Sequence, residues 1–198
     1  LVLRGPVARA LEQADAMLKR SPQVIWARTL RALALDGLGR HTEALPEWTL
    51  LVKAQPDDAA ARALLGRARM ATGDFKAAAG DLARALEVWP SNLILYTLQA
   101  ECLARLRDTE GARAAINAMK DFFVAHEIVA SADALNPFLL LGSVDLLEGK
   151  FSHALKQFEE TSNMKSKSGA AIGPIDSLLQ TIVEMRRDLV SSRDKVTR

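Results

Sequence analysis

Histidine and cysteine are the residues of this sequence best suited to metal binding or nucleophilic chemistry, and there are few of them. The three histidines, His41, His126 and His153, are far apart, and none has a partner at metal-ligand spacing. Cys102 is the only cysteine, which excludes an internal disulfide. It lies in the apolar helical stretch LQAECLARL, which favours a buried structural thiol over a reactive one. We therefore predict no metal site and assign Cys102 no chemistry.

Motifs for catalysis or cofactor binding are also missing from the sequence. It contains no phosphate-binding glycine loop, nucleophile elbow or HExxH motif, and GAAIGP lacks the preceding strand that a dinucleotide site requires. The acidic pairs Asp57–Asp58 and Glu159–Glu160 fall at predicted helix ends, where acids cap helices more often than they transfer protons. The prediction is that the chain has no catalytic residue and no cofactor, and is not an enzyme.

Composition and charge narrow the fold class and the kinds of partner. The chain is 49% hydrophobic, only 5% aromatic and rich in alanine and leucine, which predicts an all-α fold. A net charge of +2, from 26 basic and 24 acidic residues, predicts no nucleic-acid partner. Without a long uncharged apolar run or a signal peptide's apolar region, we expect no membrane partner and a cytoplasmic location, with the periplasm left open.

Residues of similar type recur every 34 positions along the chain. One column contains alanine and another proline, while a third contains small residues and a fourth large apolar ones: Ala10, Ala44, Ala78 and Ala112; Pro22, Pro56 and Pro90; Ala32, Gly66 and Ala100; Trp48, Leu82 and Ile116. After Ile116 the register slips by eight residues and resumes with Gly142 and Ala154. Because the repeat has already begun at the first residues, we expect the chain to be part of a longer protein.

Each period predicts two antiparallel helices, in which small residues let the helices approach and large ones fill the space beyond. The predicted helices are 25–38, 42–54, 59–71, 75–88, 93–106 and 109 to about 132. Gly39 and Gly73 should give left-handed helix ends, whereas the third copy has Arg107 there. QPDD and WPSN should end one pair and cap the next. Pro46 is expected in the first turn of its helix and Trp48 in the core.

With this period and these columns, the sequence resembles the tetratricopeptide repeat family, most closely in LLGRARMATGDFKAAAGDLARALEVWP at residues 64–90. The resemblance covers roughly residues 7–161. It implies an α-solenoid of antiparallel helix pairs, a tetratricopeptide-like superhelix, in which residues 1–161 form a partial first repeat and about four helix pairs. We expect residues 162–174 to be a flexible linker and residues 175–198 an amphipathic C-terminal helix that caps the array or, alternatively, binds a partner.

The resemblance further implies that the first helix of each pair lines a concave groove. The positions concerned are Trp26, Thr29, Leu33 and Asp36; Ala60, Ala63, Arg67 and Met70; Ile94, Thr97, Glu101 and Arg105. This mixture of apolar residues and two arginines suits a peptide or helix with apolar anchors and an acidic residue. The alternative is that Trp26 and Ile94 only pack between repeats.

Tetratricopeptide domains that bind the C-terminal tails of chaperones use lysine, asparagine and arginine at fixed groove positions. Here these positions are Thr29, Leu33, Leu64, Ile94 and Leu98, and the frame one repeat later retains only the cation Arg67. Chaperone tails are therefore disfavoured as partners. The predicted function is a protein–protein interaction scaffold or adaptor, as part of a larger protein or a multiprotein complex. An auxiliary subunit of an enzyme complex, such as an N-terminal acetyltransferase, and a bacterial secretion or envelope-assembly scaffold stay open as alternatives.

Overall fold

The structure is a computed structural model that describes residues 4–126, 136–150, 152–154 and 156–157. Throughout these residues the chain forms α-helices joined by short turns, which confirms the all-α prediction. The helices are α1 (Arg4–Arg20), α2 (Ile25–Gly37), α3 (His41–Ala54), α4 (Ala59–Ala71), α5 (Phe75–Val88), α6 (Leu93–Arg105), α7 (Thr109–Ala125) and α8 (Asn136–Leu147). Residues 152–154 and 156–157 are also helical.

The helices belong to two compact units, Leu1–Leu106 and Arg107–Arg198. In the first unit each of the helices α1 to α5 packs against the next one along the chain, and in the second unit α7 packs against α8. Turns of three or four residues join the helices of the first unit, so neighbouring helices run antiparallel. This is the packing of an α-solenoid built from helix pairs.

The small and large columns meet in the core as the repeat predicts. Ala32, Gly66 and Ala100 are buried, and so are Trp48, Leu82 and Ile116. The clearest contact is between Gly66 and Leu82, because a Cβ atom added to Gly66 would lie only 3.0 Å from Leu82 Cγ. In the second unit the resumed register is also correct, since Gly142 and Ala154 are buried.

The predicted left-handed helix ends are present. Gly39 and Gly73 have φ angles of 76° and 87°, and Gly149 has a φ of 73°. Arg107, which replaces glycine in the third copy, also adopts a left-handed φ, of 62°. A side chain with a Cβ is strained in this conformation, so Arg107 occupies a position that favours glycine.

The helix caps confirm one prediction and correct another. Asp58, from QPDD, caps α4 by accepting a hydrogen bond from the Ala61 backbone N–H at 3.0 Å. Asn92, from WPSN, precedes α6 but makes no side-chain cap hydrogen bond, so that part of the prediction is wrong. The Leu95 N–H instead donates to the Asn92 backbone carbonyl oxygen at 3.1 Å, which satisfies the donor that an Asn cap would have bonded.

The environment of Pro46 also differs from the prediction. α3 begins at His41, which makes Pro46 its sixth residue and places it beyond the first turn. There the missing N–H removes the bond to the Thr42 carbonyl oxygen, so the prediction that Pro46 lies in the first turn, where no such bond would be lost, is wrong. Trp48 is in the core as predicted, and its indole Nε1 donates to Asp36 Oδ2 at 2.7 Å.

Buried ion pairs inside the helix pairs are a feature that the repeat pattern did not predict. Arg28 donates to the buried Glu47 at 2.7 Å, and 34 residues later Arg62 lies 3.7 Å from the buried Asp81. Arg69 also pairs with Asp81. Both arginine–acid pairs join the first helix of a period to its second helix, and their common spacing is the signal that could have revealed them.

In the second unit, Arg113 of α7 forms ion pairs with two carboxylates, one on α8 and one just after it. It lies 2.7 Å from both Asp145 and Glu148, and Lys150 is 2.8 Å from Glu148. α7 ends at Ala125, and His126 follows in a turn and stacks on Phe122 at 4.0 Å. The rest of the predicted helix extension, the predicted linker 162–174 and the predicted C-terminal helix 175–198 lie outside the described residues.

Candidate functional site

The face predicted from the first helices exposes large apolar side chains. Trp26 on α2 is 58% exposed and Ile94 on α6 is 68% exposed, so the alternative that they pack between repeats is wrong. Leu33 on α2 is also exposed. Ala63 is buried, so its short side chain offers almost no surface to a ligand and its assignment to the groove was wrong. We call the exposed surface of α2, α4 and α6, the first helices of three successive pairs, the α2–α4–α6 face.

One end of this face is an apolar depression along α2. Its lining comprises Trp26, Thr29 and Leu33 together with Gln23, Ile25, Leu30 and Gln55. The Thr29 hydroxyl donates to the Ile25 carbonyl oxygen at 3.1 Å, so its donor is already used within the helix. The depression therefore offers mainly apolar surface.

The other end of the face is a mixed depression between α4, the start of α5 and α6. It contains four predicted groove residues, Arg67, Met70, Glu101 and Arg105, together with Ala71, Thr72, Gly73, Phe75 and Leu98. The Arg105 guanidinium lies over the Phe75 ring, 5.5 Å from its centroid. Arg105 Nη2 is 3.7 Å from Glu101 Oε1 on the same helix, and both side chains are largely exposed. This end of the face is charged.

A middle depression connects the two ends. It is lined by Leu33, Asp36, Gly37, His41, Leu64, Arg67, Ala68 and Ala71. Leu33 also lines the apolar end and Arg67 also lines the charged end, so the three depressions follow one another across the face. The predicted groove residue Asp36 is engaged, because its carboxylate accepts from Trp48 Nε1 and lies 2.9 Å from His41 Nδ1.

Two further predicted residues lie on α6, beside these depressions. Ile94 is exposed but lines none of the three. Thr97 is partly buried, and its hydroxyl donates to the Leu93 carbonyl oxygen at 3.2 Å. They extend the face along α6 without contributing a free hydrogen-bonding group.

Arg67 differs from the other arginines of the first helices. Arg28, Arg31, Arg62 and Arg69 all pair with acidic side chains of α1, α3 or α5. Within residues 4–126 and the other described segments, no acidic side chain pairs with Arg67, although it is exposed and lines two depressions. Its charge is therefore available to a ligand.

Gln55 and Phe75 are among the lining residues that were missed because they do not lie on the first helices. Gln55 follows the end of α3 and Phe75 begins α5, whereas Leu98 shares a helix face with Ile94 and Glu101 of α6. Phe75 lies 34 residues after His41, which lines the middle depression, so the repeat spacing could have revealed it.

The described residues show little that could support chemistry. Cys102 is fully buried, which confirms the predicted buried thiol, and burial, with a smaller effect from Glu101, raises the pKa of this thiol to about 11. No group of three or more His, Cys, Asp or Glu side chains in the described parts of the chain could hold a metal ion. No described helix has both the length and the apolar character needed to cross a membrane.

Comparison with known structures gives the same architecture over most of the chain. MamA 41-end from Desulfovibrio magneticus RS-1 has a TM-score of 0.72 at 15% identity, covering 85% of this chain and 91% of that one. A Podosopora anserina putative kinesin light chain with TPR-like repeats also has a TM-score of 0.72, at 18% identity and 84% and 90% coverage. TTC0263, a thermophilic TPR protein in Thermus thermophilus, has a TM-score of 0.59 at 20% identity and 90% and 91% coverage.

Sequence comparison identifies the repeat itself. No curated protein matches the chain. The tetratricopeptide repeat family matches residues 29–81 and 63–123, a region that contains helices α3 to α6 and most of α2 and α7. The helix pairs, the left-handed ends and the small and large columns agree with this match, and we conclude that the chain belongs to the tetratricopeptide repeat family.

Proposed function

We propose that this protein is an interaction scaffold or adaptor that binds a peptide or helical segment of a partner protein on the α2–α4–α6 face. Tetratricopeptide repeats support protein–protein interaction in general and are typically non-catalytic. The observation that carries the proposal is the exposure of Trp26, Leu33 and Ile94 on this one face. Covering such side chains is favourable, by about 1.5–3 kcal/mol for a fully buried large apolar residue.

The shape of the face favours a chain segment over a small molecule. The two end depressions are open, and all three depressions follow one another across three helices. Neighbouring helix axes are about 8–10 Å apart, so the face extends roughly 20 Å from α2 to α6. A partner segment can contact all three depressions at once, and we propose that the protein acts within a larger protein or a multiprotein complex.

The test compares Leu33 with Leu50, which are matched in type and exposure. Leu33 is 45% exposed on α2, whereas Leu50 is 46% exposed on α3 and lines none of the three depressions. A photo-crosslinking amino acid at either position, used in the native source, should capture a discrete partner from position 33 and not from position 50.

The captured partner, once purified, is then titrated against Leu33→Lys and Leu50→Lys. Leu33→Lys should weaken binding at least tenfold, a change of about 1.4 kcal/mol, while Leu50→Lys should leave it unchanged. Both variants should keep the parent melting temperature. Equal binding by the two variants would contradict the proposed face.

A further inference from the structure

We infer that Arg67 and Arg105 form a carboxylate-binding site, so that the partner segment carries Asp or Glu at the α4–α6 end of the face and a large apolar residue near Trp26. This inference rests on the proposed function and specifies the chemistry of its ligand. Its starting point is the contrast between Arg67, which no described acid neutralises, and Arg28, Arg31, Arg62 and Arg69, which are paired. An exposed arginine without an internal partner has a guanidinium fork free for bidentate binding of a carboxylate.

Arg105 supplies the second cation of the site. Its guanidinium lies over the Phe75 ring, and this cation–π contact orients the side chain into the depression that Arg67 also lines. Met70 and Leu98 form apolar parts of the same lining. Apolar walls reduce water around an ion pair and so strengthen the attraction between arginine and an incoming carboxylate.

Glu101 occupies the place of a ligand carboxylate in the unbound protein. It lies 3.7 Å from Arg105, on the same helix, and both side chains are largely exposed. Exposed pairs of this kind contribute little, so a partner carboxylate can displace Glu101. With two arginines and one glutamate, the depression keeps one positive charge in excess. Removing the charge of Glu101 should therefore strengthen binding.

The neighbouring surface favours an acidic protein segment over a nucleic acid. The net charge of the chain is only +2, and the depression at the other end of the face is apolar, with Trp26 and Leu33 exposed in it. A nucleic acid would meet no further row of cations there, whereas an amphipathic segment meets an apolar anchor site. The two ends are roughly 20 Å apart, which corresponds to about 13 helical or about 6 extended residues.

The experiment selects peptides of about 16 residues from a random library displayed on phage. Peptides of this length can span the roughly 20 Å between the two ends of the face in a helical or in an extended conformation. The parent chain should select peptides that combine Asp or Glu with a large apolar residue. Arg67→Glu with Arg105→Glu should lose this acidic preference and bind the selected peptides, made synthetically, at least tenfold more weakly. Glu101→Gln should bind them several-fold more tightly.

The control has the same change of charge elsewhere. Arg9→Glu with Lys53→Glu alters two exposed residues on α1 and α3 that line none of the three depressions, and it should bind like the parent. Circular dichroism and melting of both double variants should match the parent. Replacing the acids of a selected peptide by Asn or Gln should weaken its binding to the parent at least tenfold.

Several results would overturn the carboxylate site. These are selection of neutral or basic peptides, failure to select any peptide, equal binding after the acids are neutralised, or tighter binding of a 20-nucleotide mixed-sequence RNA than of the selected peptides. Peptides whose binding needs Leu33 but is indifferent to Arg67 and Arg105 would refute the inference and leave the proposed function intact. Peptides indifferent to all three residues would count against both.

Discussion

Adding a methyl group to Gly66 tests how closely the helices of the second pair approach. Gly66 and Gly80 are both interior helix residues, in α4 and α5, so replacing either by alanine gains about 0.5–1 kcal/mol of helix propensity. Their surroundings differ. A Cβ at Gly80 meets nothing within 4 Å, whereas a Cβ at Gly66 would lie 3.0 Å and 3.2 Å from Leu82 Cγ and Cδ2 and 3.4 Å from the Ala78 carbonyl oxygen.

The sign of the Gly66 effect depends on whether Leu82 can move. Leu82 is fully buried, and the Ala78 carbonyl belongs to the backbone of the facing helix, so neither neighbour yields easily. Overpacking of this kind costs about 1–3 kcal/mol. After the propensity gain is subtracted, Gly66→Ala should lower the free energy of unfolding by about 0–2.5 kcal/mol, while Gly80→Ala should raise it by about 0.5–1 kcal/mol.

A double-mutant cycle identifies the contact responsible. Leu82→Ala alone removes the crowding atoms and leaves a cavity, at a cost of about 2–5 kcal/mol. In that background Gly66→Ala should become stabilising, by about 0.5–1 kcal/mol, because only the propensity gain remains. Urea unfolding followed by far-UV circular dichroism measures the parent and each variant. The reasoning fails if Gly66→Ala stabilises the parent as much as Gly80→Ala does.

Three further predictions concern the turn at Arg107, the acid sensitivity of the second unit and the thiol. Arg107→Gly should raise the free energy of unfolding by about 0.5–1 kcal/mol, since the strained left-handed φ of 62° is relieved, and an unchanged or lower melting temperature would contradict this. Hydrogen bonds from Lys150, Thr109 and Arg113 lower the pKa of Glu148 to about 2. The ionised Glu148 therefore stabilises the fold fully above the ordinary pKa of 4.5, and this stabilisation is lost as the pH falls toward 2. Glu148→Gln should therefore flatten the acid limb of stability against pH, and an unaltered limb would refute the assignment. Cys102, buried and with a pKa of about 11, should react with a chromogenic disulfide reagent only as fast as the chain unfolds; rapid reaction of the folded protein would show that it is accessible.

Features that recur in every repeat were predicted well because several positions in the sequence give the same information about each feature. Ala32, Gly66 and Ala100 give one small column, and the turn positions of Gly39, Gly73 and Arg107 give one helix end, so local irregularities did not alter the register. The helix ends lie within one residue of the prediction from α2 to α6. The prediction for Pro46 was wrong for a different reason: even in a helix that begins at Thr42, Pro46 is the fifth residue and lies beyond the first turn.

The candidate site was only partly predictable because it depends on which side chains engage one another. The sequence placed Arg67, Arg105, Trp26 and Leu33 on one face, and the structure exposes all four. It could not show that Asp36 is engaged by Trp48 and His41, because side-chain geometry across two helices decides that contact. The availability of Arg67 is likewise visible only once the acids that pair with Arg28, Arg31, Arg62 and Arg69 are known.

The buried ion pairs also bear on how an array of this kind can change in length. Arg28 and Glu47 lie within one 34-residue period, and Arg62 and Asp81 lie within the next, so each of these two buried acids has an arginine from its own repeat. Deleting or duplicating one whole period keeps each of these pairs together. A break inside a period would separate a buried acid from its arginine, and an uncompensated buried charge costs about 3–5 kcal/mol. Gain and loss of complete repeats is therefore the inexpensive route by which the array can lengthen or shorten.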